Sequence, residues 1–172
     1  MKQYKSTETS IQSAMVDMFK SHTKASERPD NILFDGHVVK TGHWIEVPEN
    51  FIIKLEFLSK PDADQGADVS VKDGFMSLVD GSEVKLLRTW YDPKYEPVVE
   101  YSGYSSAKKV LVYNVYKEER NGRIFEEKWT RNAGMVVEKI SDNEFVLKCS
   151  SGQFNPPNFE SLIFRVSVHE KS

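Results

Sequence analysis

The sequence predicts a mainly β fold, an antiparallel β-barrel or alternatively a β-sandwich, with one α-helix near the N-terminus. Three observations carry this. Short segments rich in Val, Ile, Tyr, Phe and Trp recur, about ten or eleven of them, at the spacing of sandwiches and barrels. Asp73-Gly74, Asp80-Gly81 and Asn121-Gly122, which accept positive backbone angles, stand between several of them. Finally, no helices alternate with these segments, so the βαβ rhythm of a parallel-sheet enzyme is missing, as are its glycine-rich phosphate motifs.

Taken in order, residues 7–22 predict the helix. Ile11, Ala14, Met15, Met18, Phe19 and His22 fall on one face, and Thr9 with Gln12 fits a capping box. Pro29 and Asp30 mark the break after it. Such a stripe serves as a lid or buttress on a core. Strands follow at Ile32–Val39, His43–Val47 and Phe51–Ser59, the last with Phe51, Ile53, Leu55 and Phe57 on one face. Residues 60–67 form a polar loop, after which come Val69–Lys72, Phe75–Val79 and Glu83–Tyr91. Asp92-Pro93 stops the last of these. Pro97–Tyr101 begins again and leads into a long hairpin, Lys109–Arg131, turning at Asn121-Gly122. Met135–Ile140 and Asn143–Ser150 form another hairpin, and Ser161–His169 closes the chain. Paired prolines keep residues 152–159 out of any central strand. The whole reads as a single domain over 1–172, with the helix at 7–22 and the β-barrel over 31–169.

The chain has 172 residues, enough for one domain with a sizeable core. Its 23 Lys and Arg against 26 Asp and Glu leave a net charge of −3, which disfavours nucleic acid as a partner. No apolar run approaches the roughly 18 residues of a membrane span. The N-terminal MKQYKSTETS has no apolar signal core, and Cys149 has no second cysteine to pair with. The expectation is a cytoplasmic protein.

Few constellations suggest chemistry. His37 and His43 lie six apart, not a recurrent metal-ligand spacing, and read as surface or turn histidines. Asp62, Asp64, Asp68 and Asp73 with Gly66 miss the calcium-loop pattern and read as a solvated acidic loop. Cys149 alternates with Phe145 and Leu147 and reads as a buried small hydrophobe. More informative are two charges on apolar faces: Arg88 with Val84, Leu86 and Trp90, and Glu127 with Phe125 and Trp129. A buried charge must be paired or neutralised. Either Arg88 and Glu127 line a cavity with Trp90, Tyr113 and Trp129 and orient a ligand, or they sit at strand rims or pair structurally. The tyrosine-rich connection Tyr91–Tyr104 suits either recognition or a sheet edge.

Gly42-His43-Trp44 opening an early strand, a meander of hairpins, and a last strand containing Arg165 together resemble the calycin superfamily of lipocalins and lipocalin-like barrels. The ending, from Ile140 through Phe145 into a final long strand, is similar as well. The resemblance implies a ligand-binding barrel over Asn31–His169. It also implies that Trp44 and Arg165 are structural, the tryptophan packing near the closed end against a basic residue of the last strand.

The leading expectation is a barrel that binds a small, partly apolar ligand, aromatic or aliphatic, in its interior. Arg88 and Glu127 would anchor the ligand, and Trp90, Tyr113 and Trp129 would wall the site. The alternative is a protein-interaction module, such as a small acidic inhibitor or immunity-type protein, using the Tyr91–Tyr104 region and the acidic loop near Asp62–Asp68. Third is a barrel enzyme with Glu127 in acid–base chemistry. No catalytic residue, cofactor or metal is assigned.

Overall fold

The computed structural model describes residues 2–61 and 64–172. The described residues are mainly β, with one α-helix, and their strands form two open sheets over a shared core plus a small third sheet. In chain order these are β1 (Gln3–Tyr4), α1 (Ile11–Lys20), β2 (Ile32–Phe34), β3 (His37–Val39), β4 (His43–Glu46), β5 (Asn50–Phe57), β6 (Gln65–Val71) and β7 (Gly74–Ser77). There follow β8 (Glu83–Val84), β9 (Leu86–Trp90), β10 (Val98–Ser105), β11 (Lys109–Arg120), β12 (Arg123–Glu127), β13 (Gly134–Ser141), β14 (Glu144–Ser150) and β15 (Leu162–Glu170).

The larger sheet runs β13-β14-β15-β5-β10-β7-β8, and the smaller β12-β11-β6-β9. Strand β11 is long enough to take β4 and β12 end to end along one edge, with β6 on the other. Neither sheet closes into a barrel, and the arrangement is sandwich-like. Alternation decides what lies between the sheets. Phe51, Ile53, Leu55 and Phe57 of β5 align with Phe164, Val166 and Val168 of β15 and with Leu147 and Cys149 of β14. Facing them are Ala67, Val69 and Val71 of β6 and Val110 and Val112 of β11, all buried in the same cluster. The middle is therefore filled with hydrocarbon. Burial also pushes the Cys149 thiol up, as a small core hydrophobe requires.

Strands β1-β2-β3 and α1 make a second apolar cluster, in which Ile11, Ala14, Met15 and Met18 meet Ile32, Phe34 and Val39. The helix is shorter than its apolar spacing predicts, because Ser10 rather than Thr9 is the cap, its side chain accepting from the Ser13 N–H at 3.1 Å. The other N-terminal amides are met from across the molecule. Ile11 N–H donates to Asn132 Oδ1 at 3.1 Å, and Gln12 N–H to the Arg131 carbonyl at 2.8 Å.

Asp73, Asn121 and Gly81 adopt the positive φ that their turns require. The same chemistry at Asp35-Gly36 (φ 48° and 80°) divides the expected single strand at Ile32–Val39 into the hairpin β2–β3. His43 is not a surface or turn histidine. Its ring lies edge-on to Phe145 at 4.8 Å on the inner side of β4, where burial, with Lys40 adding to it, pushes its pKa down to about 4.

Candidate functional site

The outer face of the five-stranded sheet brings together four of the five side chains singled out from sequence. Register puts Arg88 of β9, Asp68 of β6 and Tyr113 of β11 in one row, and Trp90, Gly66 and Val115 in the next equivalent row. These rows point away from Val69 and Val112, so by register Arg88, Trp90 and Tyr113 lie on the other face of the sheet, where Tyr113 and Val115 are nonetheless buried and continuous with the main apolar cluster.

Asp68 is completely buried and accepts a two-pronged bond from Arg88, Nε to Oδ1 and Nη2 to Oδ2, both at 2.8 Å. This bond holds the guanidinium pKa above its ordinary value. The remaining nitrogen, Nη1, lies 3.6 Å from Glu126. Tyr113 is buried beside this pair. Burial first, and then the negative charge of Asp68, pushes its phenol pKa up, so the hydroxyl stays protonated. Lys128 Nζ approaches that hydroxyl at 3.4 Å.

Trp129 reaches the same face by an unexpected route. β12 ends at Glu127, and Trp129 takes a left-handed backbone (φ 60°), which breaks the alternation. Its ring then lies against Tyr113 with centroids 4.8 Å apart, and its Nε1–H donates to the Thr41 carbonyl at 2.9 Å. It thereby occupies the gap along the β11 edge between β4 and β12. The anchoring is local and firm: the next turn, at Arg131 and Asn132, is the one bound to the start of α1.

Glu127 does not join this group. It lies opposite Tyr116 in register, on the other side of β12 from Glu126, and pairs with Arg120. The expectation that Phe125, Glu127 and Trp129 share a buried face is corrected, since Phe125 and Trp129 are both exposed. Arg88 and Glu127 are not each other's partners either. The residue missed from sequence is Asp68. Its placement in a solvated acidic loop is wrong, because β6 begins at Gln65 and takes Asp68 into the sheet; Asp62 lies outside the described residues. The signal was there in Ala67-Asp68-Val69-Ser70-Val71, an acid inside an alternating strand.

All three tryptophans of the chain are on this face, each with a cation over its ring. Lys117 is 4.6 Å from the Trp90 centroid, Lys128 4.7 Å from Trp129, and Lys72 5.9 Å from Trp44. Trp44 is 49% exposed, while Arg165 sits on the outer side of the other sheet with Glu56 and Glu144. The tyrosines of Tyr91–Tyr104 part company. Tyr91 packs edge-on against Phe57 at 5.7 Å, the Tyr101 hydroxyl meets Thr89 at 3.4 Å, and Tyr95 stands 75% exposed.

Among the described residues, no three His, Cys, Asp or Glu side chains gather as metal ligands, and no helix is long and apolar enough to cross a membrane. No family model, curated protein or solved structure matches the chain, so what its outer face does is read from its own geometry.

Proposed function

We propose that the chain binds a small, partly apolar ligand, and that the ligand lies on the outer face of the five-stranded sheet. Trp90, Tyr113 and Trp129 supply apolar contact, and Arg88, held rigid by Asp68, supplies a polar anchor. One observation carries the reading: the three tryptophans share a single sheet face, whereas the space between the sheets is filled with side chains. Glu127, drawn away by Arg120, has no part in it.

The lipocalin-like kinship belongs to the same proposal, with the sandwich as a flattened barrel. It is supported by the turn at Asp73-Gly74, which carries the chain straight from the smaller sheet into the larger. A cytoplasmic location is part of the proposal too, resting on the lone, buried Cys149. A protein partner is the second reading, favoured by the exposed Tyr95.

Titration with fatty acids, haem and aromatic acids, followed by tryptophan fluorescence, tests the proposal. A saturable change with one class, weakened about tenfold or more by Trp90→Ala or Trp129→Ala, is the expected result. Flat titrations throughout, with a pull-down recovering one stoichiometric protein, would replace it by the second reading.

A further inference from the structure

At the α1 end of this face lies a hollow of about 200 Å³, open to solvent. Its walls are Phe19 of α1, Trp44 of β4, Leu111 of β11 and Trp129, and its floor is Gly42. A Cβ at Gly42 would stand 3.0 Å from Leu111 Cδ1, so the Leu111 side chain would have to give way. Phe19 and Trp129 are each 40% exposed and Trp44 is 49% exposed. Three large aromatic rings left half in water around one depression mark a binding surface more than a packing accident.

Of the described residues, the one charged residue lining the hollow is Asp30, and the cations lie over the rings that wall it. Arg28 lies 5.2 Å from the Phe19 centroid, Lys72 5.9 Å from Trp44, and Lys128 4.7 Å from Trp129. Among the described residues none of these three cations has a carboxylate within 4.0 Å, although acids outnumber bases in the chain by 26 to 23. Asp30, the acid that lines the hollow, is already taken by Lys40 at 3.0 Å. A cationic ligand would have to displace the protein's own cations from the rings, and a neutral one would gain nothing from them. An anion pairs with cations that otherwise have no carboxylate partner among the described residues.

We therefore infer that the hollow takes an aromatic ring system carrying an anionic group, with the rings between Phe19, Trp44 and Trp129 and the anion reached by Lys72 and Lys128. This rests on the reading above that the outer face binds ligand, shares Trp129 with the site named there, and adds the charge and a neighbouring place on the same face. The hollow's volume of about 200 Å³ has room for a fused ring system.

Anilinonaphthalene sulfonate and its uncharged counterpart phenylnaphthylamine make the test, used on the full chain with near-UV circular dichroism to verify native packing. The sulfonate should bind one-to-one, and more tightly than the amine. Lys72→Gln with Lys128→Gln should weaken the sulfonate about five- to tenfold while leaving the amine unchanged. Trp44→Ala, at an exposed site, should weaken both. If the amine binds as tightly as the sulfonate, or if sulfonate binding survives loss of both lysines, the charge assignment is overturned and the ligand reading stands. Failure of both dyes to bind natively packed protein overturns the inference and the reading together.

Discussion

The outer faces of the two main sheets are built on opposite rules. On the seven-stranded sheet the outward positions include paired surface charges. Arg165 lies between Glu56 at 3.0 Å and Glu144 at 3.2 Å, and Lys148 meets Glu138 at 3.7 Å, all half-exposed or exposed. That is the solvated side expected of an antiparallel sheet. On the five-stranded sheet the corresponding face holds three tryptophans, a buried tyrosine and a fully buried carboxylate. Water alone does not call for that set of residues. The difference teaches that, in a sandwich with a filled middle, a site can be recognised by the outer face that fails to look like a surface.

The largest effect that would sharpen this contrast is expected from Arg88→Ala. It leaves the Asp68 carboxylate buried without its bidentate partner and should cost about 3–4 kcal/mol in urea unfolding. Asp68→Ala should cost less, because the side chain of Arg88 is 26% exposed and its guanidinium can turn to water. Equal costs would mean that the pair is not buried as described.

Trp129→Ala comes next, at about 2–3 kcal/mol, combining lost contact with Tyr113 and the lost bond to Thr41. Its signature is local: hydrogen exchange should rise at β4 and β12, whose ends it joins, and not at β14 or β15.

Strand β4 bears on both the outer face and the core, Trp44 looking out and His43 looking in at Phe145. The imidazole pKa is lowered from its ordinary 6.5 to about 4, chiefly by burial and secondarily by Lys40, with Asp30 opposing. Between those values the unfolded chain binds a proton that the folded chain refuses. Stability should therefore be full above about pH 6.5 and fall as the pH drops toward 4, by about 2 kcal/mol once solvent access is allowed for. His43→Phe should flatten that part of the pH profile.

The smallest effect belongs to the ordinary face. Arg165→Ala should cost under about 1 kcal/mol, with no change in ligand titrations. A loss of several kcal/mol would erase the contrast between the faces.

Much of this fold is legible in the residues themselves. Asp-Gly and Asn-Gly turns announce hairpins because their backbone angles are a local property, and alternation correctly groups Arg88 with Trp90. What alternation does not reveal is which side of the sheet is the core. Aromatic content points inward as a rule, and Phe51, Phe57 and Phe164 obey it, whereas the three tryptophans mark the outer face. Asp68 is hidden for another reason: its partners, Arg88 and Tyr113, lie far along the chain, and only their pairing extends β6 back to Gln65. Trp129 departs from its strand with no glycine or asparagine to signal it. The turn that holds it is fixed by the N-terminus of α1, more than a hundred residues upstream.

The most direct test follows the three indole N–H signals in an amide and indole correlation spectrum while anilinonaphthalene sulfonate is added. The structure predicts saturable shifts at Trp44 and Trp129, and at the backbone of Thr41 and Leu111, with Arg165 and Lys148 unmoved. Shifts confined to Leu147, Val166 and their neighbours would place the ligand between the sheets instead, and the outer-face site would be contradicted.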